Sequence, residues 1–328
     1  MKMRISKIGE RKVIEEFSEI FSSREWVEIG IGDDAAVLRA QDGKIVVTSD
    51  ICTESSHFPR GMSPEQKGFF SITVNASDLA AMGARPIAFL LSISAPRETE
   101  LEELLGIARG AERACVEYGA PLVGGDTKEG KELVLAGFGI GIVKRPLTLS
   151  GAKPGDGVYL SGSLGRVGLG IISLLRGLGI KKYEEAALNP RARVDLGTRL
   201  QGVATSATDV TDGLALELWK ISSKSGVRIE IEEVPMEEEY IEECIKHGID
   251  PLELALHYGG DLELVFTSRD EEEISSISEE LGVRITKIGS VFNGRGVFLN
   301  GKEIEPRGYE HFRGYEHFSE KTNKSRGN

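Results

Sequence analysis

Clustered basic residues, long apolar runs and a paired set of cysteines are all missing from this chain. The 328 residues carry a formal net charge of −12, and no stretch gathers Lys and Arg into the footprint that nucleic acid or an anionic membrane surface requires. No apolar run reaches the ~18 residues of a membrane-spanning helix, and the N-terminus has no signal-peptide core. A cytoplasmic protein that binds neither nucleic acid nor membrane is therefore expected. Cys52, Cys115 and Cys244 are an odd number at unrelated spacings, so neither a disulfide framework nor a zinc site is indicated. The conventional phosphate loops are absent as well. Residues 125–132 have the glycine spacing and the lysine of a P-loop, but Glu132 stands where a hydroxyl must meet magnesium. The glycines of 162–170 lie between a strand and a helix without the dinucleotide spacing, and no Ser/His/Asp arrangement is recognisable.

What the chain has is aspartate in small-residue settings. Asp34 follows a glycine turn, Asp50 ends the apolar run 45–49, Asp78 lies in Val-Asn-Ala-Ser-Asp and Asp126 in Val-Gly-Gly-Asp-Thr. Asp209 and Asp212 share Thr-Asp-Val-Thr-Asp-Gly. These flanks suggest loops or element ends. Any single one is explained as a turn residue or cap, and Asp212 before Gly213 reads equally as a helix N-cap. Six of them are harder to dismiss together. Carboxylates brought together without basic partners repel unless metal ions neutralise them, and oxygen-only ligation suits Mg²⁺, which takes a few carboxylates plus substrate phosphates. The residues alone thus indicate a magnesium–phosphate protein. His57 by itself is a surface-loop histidine, and Arg145 is a solvated charge or a bidentate phosphate fork.

The length suits two domains, and the Pro- and Gly-rich stretch 144–157 is the candidate boundary. The expected division is 1–145, 146–318 and a disordered tail, 319–328. Periodicity predicts a helix over 13–21, a hairpin of strands 35–38 and 44–49, and a helix starting at Ser63-Pro64-Glu65 and ending near Gly83. A strand at 86–95, a helix at 98–118 and a strand at 133–143 follow, the last with glycines at 137, 139 and 141 that permit close backbone approach. Beyond the boundary come a strand at 158–161, a helix at 166–178, a helix opened by Asn189-Pro190, and a strand at 207–210. Helices at 214–224, 236–247 and 270–281 then alternate with strands at 227–234, 262–267 and 283–292. Alternation of this kind indicates an α/β or α+β chain with helices packed on mixed sheets. The hexapeptide Arg-Gly-Tyr-Glu-His-Phe occurs twice in tandem, at 307–312 and 313–318, too few copies for a solenoid.

Read in order, the strings GIGDDAAV (30–37), TSDICTESSHF (48–58), VNASDLAAMGARP (74–86), GGDT (124–127), SGAKPGD (150–156), DVTDGL (209–214), GGDLELVF (259–266) and GYEHF resemble the thiamine-monophosphate kinase family. That family belongs to the superfamily of aminoimidazole ribonucleotide synthetase and selenophosphate synthetase. The resemblance implies an N-terminal α/β domain that dimerises through its strands, giving a homodimer, and a C-terminal α/β domain. It implies transfer of the γ-phosphoryl of ATP to thiamine monophosphate with several Mg²⁺ ions. It places metal ligands at Asp34, Thr48, Ser49, Asp50, Asp78, Asp126, Asp209 and Asp212. ATP contacts would fall at Gly125, Asp126, Arg145 and Thr211, and substrate contacts at His57, Asp261 and a C-terminal tyrosine, Tyr309 or Tyr315. Tyr309 is favoured by its spacing to the preceding strand, and no covalent nucleophile or general base is implied. The family's Gly-Gly-Glu-Asp-Tyr-Glu-Leu is one residue shorter here, with Asp261 in place of the substrate-contacting Glu. Two alternatives remain open at this point: another ATP-dependent phosphoryl-transfer enzyme of the superfamily, or a non-catalytic nucleotide-binding regulator.

Overall fold

The computed structural model describes residues 27–29, 33, 36–40 and 43–309. The helix expected at 13–21, the tail from 319 and Tyr315 lie outside the described residues, as does Asp34. The first half builds a mixed sheet from β1 (Val27–Ile29), β2 (Ala36–Ala40), β3 (Gly43–Thr53), β4 (Arg85–Ala95), β5 (Leu122–Glu129) and β6 (Val134–Val143), covered by α1 (Pro64–Ala81) and α2 (Leu101–Glu117). Strand order is β1-β2-β3-β6-β4-β5, with β4 and β5 parallel and every other pair antiparallel.

Local chemistry explains the placement of α1. Ser63 accepts a hydrogen bond from the Gln66 amide, the Gln66 side chain accepts from the Ser63 amide, and Pro64 occupies the first helical position. This reciprocal cap satisfies donors the helix would otherwise leave open. The helix then lies on β6 along a stripe of glycines. A Cβ on Gly137 would come within 2.4 Å of the Asn75 amide nitrogen, and one on Gly139 or Gly141 would press on Leu79 at 3.1 Å. The approach is set by residues that have no side chain. The contact of α1 with α2 is closer still: a Cβ on Gly68 would sit 1.9 Å from the Ile107 carbonyl oxygen, and one on Gly110 1.8 Å from that of Glu65.

The second half contains β7 (Gly157–Ser161), α3 (Arg166–Arg176), α4 (Lys181–Leu188), α5 (Val194–Arg199), β8 (Ala204–Asp209), α6 (Leu214–Ser225), β9 (Val227–Ile231), α7 (Glu238–Lys246) and α8 (Pro251–His257). It continues through β10 (Leu264–Ser268), α9 (Glu271–Leu281), β11 (Ile285–Asn293), β12 (Gly296–Leu299) and β13 (Lys302–Glu303). Its sheet runs β13-β12-β9-β11-β7-β10-β8, parallel only between β12 and β9. Several details differ from the periodicity reading, among them the unpredicted α4 and the short strands β1, β12 and β13. Asn189-Pro190 ends α4 instead of opening a helix, because the residue before a proline is pushed out of the helical region and Asn189 takes φ −138°. The seven-residue α8 and the strand β5 had too short or too glycine-rich a pattern to register. Asp126 also sits inside β5 and not in a loop, whereas Asp78 lies in α1 as the helix predicted from Ser63 to Gly83 requires.

The two sheets share one core. Phe69, Leu79, Phe89 and Leu135 of the first half pack in the same cluster as Leu196, Leu200, Ala207 and Phe266 of the second. The closest junction is backbone against backbone, since a Cβ on Gly197 of α5 would lie 2.1 Å from the Ala80 carbonyl oxygen of α1. Among the described residues no helix is long and apolar enough to cross a membrane. Substituting Gly110→Ala should force α1 and α2 apart and lower stability by about 1–3 kcal/mol, the usual range for overpacking. Thermal denaturation of the variant checks this, and an unchanged midpoint would contradict the close crossing.

Candidate functional site

Cross-strand partners share a face of the sheet, which orients the motif at the end of β3. Thr48 pairs with Gly139 and Asp50 with Gly137, so both face α1, whereas Ser49 pairs with Phe138 and faces away. Asp78 comes down from α1 to meet them. Thr48 Oγ1 donates to Asp78 Oδ2, and the Asp50 and Asp78 carboxyl groups are within hydrogen-bonding reach of each other. Two carboxylates in that relation need a shared proton or a cation. Burial pushes the Asp50 carboxyl above its ordinary range; the Asp78 contact opposes this and the Asp212 charge adds to it.

The second half contributes from the end of β8 and the turn after it. Asp209 is 1 % exposed and accepts from Ser77 Oγ of α1 across the seam between the sheets. Burial raises its pKa to about 7; the Ser77 hydroxyl and Lys220 oppose the shift, and the charges of Glu217 and Asp50 add to it. Asp212 does not cap the following helix, because Gly213, at φ +116°, is the N-cap and α6 has no side-chain cap bond. Its carboxylate lies 3.5 Å from Lys220 Nζ, which also bonds the buried Glu217 at 2.9 Å. Among the described residues one ammonium therefore serves a group of five acids.

A cavity of about 350 Å³ adjoins this cluster. Its wall includes His57, Phe58, Phe70, Thr211, Tyr258 and Tyr309. Thr211 lies between the two aspartates of the β8 turn, and His57 hangs from the end of β3. The Thr53 amide donates to His57 Nδ1 at 3.2 Å; an amide N–H can only donate, so the ring proton is on Nε2. The structure thus gathers Thr48, Asp50, Asp78, Asp209 and Asp212 at one place, with His57, Thr211 and Tyr309 beside it.

Other sequence-derived residues fall elsewhere within the chain. Gly125 is in the same row of the sheet as Asp50, through Gly137 and Leu91, but three strands away, roughly 14 Å at ~4.8 Å per strand. It must be glycine, since a Cβ would lie 1.9 Å from the Leu91 carbonyl oxygen. Asp126 is exposed beside Lys128 (2.9 Å), which holds its carboxyl below the usual range. Arg145 is exposed past the far end of β6, whose Val143 pairs with Lys44, six positions before Asp50. Asp261 accepts from the amides of Gly165 (2.8 Å) and Val167 (3.0 Å) at the start of α3, so both of its oxygens are engaged by backbone.

Among the described residues no three acids, histidines or cysteines are already gathered in ligand geometry. The donor set nevertheless fits a hard cation. Asp50 Oδ2 is buried without a hydrogen-bond partner, and among the described residues the neighbouring donors are oxygens and one lysine cannot balance the acids around it. Such a site calls for positive charge from outside the chain. Sequence reading missed Ser77, Glu217 and Lys220. Ser77 stood beside Asp78 in a quoted string, but a buried Glu and Lys on an amphipathic helix look like any solvated pair.

The chain matches the models of the AIR synthase related protein N-terminal domain over residues 32–143 and C-terminal domain over residues 153–302. It is 39 % identical to the thiamine-monophosphate kinase of Pyrococcus horikoshii, covering 94 % of this chain and 98 % of that one. It is 34 % identical to that of Aquifex aeolicus, over 94 % and 100 % of the two chains. The solved structure of AaThiL complexed with AMPPCP and TMP superposes with a TM-score of 0.87 at 32 % identity, covering 95 % and 99 % of the two chains. A HypE–HypF complex structure matches at a TM-score of 0.71 and 25 % identity, covering 89 % of this chain and 99 % of that one.

The buried Asp261 gives the fold a pH signature. Burial raises its pKa to about 7 despite the two amide hydrogen bonds, so the folded protein holds this proton more tightly than the unfolded chain. Its own contribution to stability is then largest near pH 4 and falls as pH rises towards 7, with a slope of at most ~1.4 kcal/mol per pH unit. Relative to the parent, Asp261→Asn should gain stability over that interval and level off above it. Denaturant titrations at pH 4.5 and 7.5 check this, and an unchanged difference between them would contradict it.

Proposed function

The chain belongs to the thiamine-monophosphate kinase family, and we propose that it phosphorylates thiamine monophosphate to thiamine diphosphate with ATP as donor and ADP as second product. One observation carries this reading above all: Asp50 Oδ2, buried and without a hydrogen bond, faces carboxylates from both halves of the chain. A seam lined this way suits a cation bound together with phosphates and little else. Asp50, Asp78, Asp209 and Asp212, with the Thr48 hydroxyl, would hold the Mg²⁺ ions. When bound, these ions neutralise the charge that keeps two phosphorylated substrates apart.

The chain's own groups do the remainder. His57 presents Nε2–H, and Thr211 and Tyr309 present hydroxyls, around a cavity whose Phe58, Phe70 and Tyr258 walls suit a flat heterocyclic ring. Thr211 borders both the cavity and the acidic turn, so the acceptor phosphate would lie at the seam while the ring occupies the cavity. The attacking oxygen belongs to a phosphate already anionic near neutral pH, so no general base is needed. Holding donor and acceptor together can supply roughly 7–11 kcal/mol of the barrier. AaThiL bound to AMPPCP and TMP at 32 % identity supports the pairing of a nucleotide with a second phosphorylated ligand.

Residues 1–145 form the metal- and nucleotide-binding half in this proposal, with Asp34, Ser49, Gly125, Asp126 and Arg145 assigned to those ligands. Residues 146–318 complete the substrate cavity, and the cytoplasm is the assigned compartment. A homodimer through the first sheet is supported by Ile51 (59 % exposed) and Phe138 (37 %), apolar side chains on adjacent strands whose register turns both away from α1. ADP should appear only when thiamine monophosphate is supplied with ATP and Mg²⁺, and a coupled assay silent under those conditions would sink the proposal. Asp78→Asn should lower kcat at least 100-fold, about 2.7 kcal/mol, while circular dichroism stays unchanged. Phe138→Lys should convert the dimer to a monomer by light scattering; a variant of unchanged mass would place the interface elsewhere.

A further inference from the structure

Of the duplicated hexapeptide only Tyr309 has a part in the chemistry above, and the structure shows what holds the opening of that first copy. Arg307 Nη2 donates to the two Glu253 carboxylate oxygens at 3.1 and 3.2 Å and to His257 Nε2 at 3.2 Å. The Arg307 carbonyl accepts from His257 Nδ1 at 2.9 Å. A carbonyl can only accept, so the ring proton is on Nδ1, and Nε2 is left as the acceptor for the guanidinium. Gly308 lies against the acidic turn, where a Cβ would come within 2.4 Å of the Asp212 carbonyl oxygen. That same carbonyl accepts from the Tyr309 amide at 3.0 Å, and Tyr309 enters the cavity beside His57 and Thr211.

We propose that Glu253, His257 and the Asp212 carbonyl form a binding groove for an Arg-Gly-Tyr segment of this chain, and that the groove accepts either copy, so that Tyr309 or Tyr315 fills the cavity. The consequence for substrate binding rests on the reading of that cavity given above. The contacts do not discriminate between the copies, because the guanidinium, the missing Cβ and the tyrosine amide recur at 313–315. The tether does. Ile304 is anchored on both sides, its amide donating to the Val297 carbonyl at 2.9 Å and its carbonyl accepting from Trp219 Nε1 at 2.7 Å. From that anchor Arg307 reaches the groove in three chain steps and Arg313 in nine. Loop closure weakens with roughly the 3/2 power of length, so the first register is favoured about fivefold. Loss of the charge-assisted bonds to Glu253 outweighs so small a margin and hands the groove to the second copy.

Amide hydrogen exchange of the full-length chain, read by mass spectrometry without substrate, tests this directly. In the parent, protection should be found over 307–309. In Arg307→Ala it should move to 313–315, and the KM for thiamine monophosphate should rise by no more than about fivefold, the tether penalty. In Arg307→Ala/Arg313→Ala protection should vanish from both copies and KM should rise at least tenfold with a smaller change in kcat. Protection lost from both copies in the single variant would overturn the exchange of registers. Protection kept over 307–309 in the double variant would overturn the groove. Protection that moves as stated while no ADP is formed supports the groove and counts against the kinase reading alone.

Discussion

Mutual repulsion of carboxylates in a seam is the constraint on which the rest of this structure depends. Asp50 and Asp78 come from one sheet and its covering helix, Asp209 and Asp212 from the other sheet, and among the described residues Lys220 is the cation that stands beside them. Burial raises the carboxyls of Asp50 and Asp209, which is the free-energy cost of placing charge where water is scarce. A fold does not maintain such a cost for stability, since apolar residues of similar volume would hold the seam more firmly. The cost becomes intelligible once the seam is a place where positive charge arrives with a ligand.

The glycines serve the same end. β6 presents Gly137, Gly139 and Gly141 to α1 and Phe138 to the opposite face, so one strand seats the helix that carries Asp78 and also exposes an apolar outer surface. Because α1 is fixed on β6 by backbone proximity, the Asp78 position is set by main chain more than by adaptable side chains. Ser77, one residue earlier, then meets Asp209 on the other sheet. Two neighbouring residues on one helix therefore serve both halves of the site.

Much of this was legible in the chain because its signals are local. The capping box at Ser63, the hairpin ending at Gly43 and the glycine stripe each report on their own few residues, and the order of the aspartate strings carried the family. What could not be read was distance across the fold. Asp50 and Asp126 look alike in sequence, yet strand order β3-β6-β4-β5 puts three strand spacings between them. Asp209 and Glu217 look like separate features, and only the packing of α6 on β8 makes them neighbours. Asp261 sits in a motif of the substrate-binding kind, and no short window shows that the amides of α3 bond both of its oxygens. Register, strand order and helix packing are long-range properties, and no short window contains them.

The contact of Gly197 with the Ala80 carbonyl has a bearing on how such a protein can change over time. The two halves match two separate domain descriptions, which suggests modules free to be exchanged between relatives. Yet here the main chain of one half rests on the main chain of the other, and hydrophobic side chains from both fill one interior. A half transplanted from a distant relative would have to bring its own glycine at the crossing and a complementary surface around it. Recombination between relatives is therefore expected to succeed as whole chains or as matched pairs of segments, so that the two modules are inherited together although each is recognisable alone.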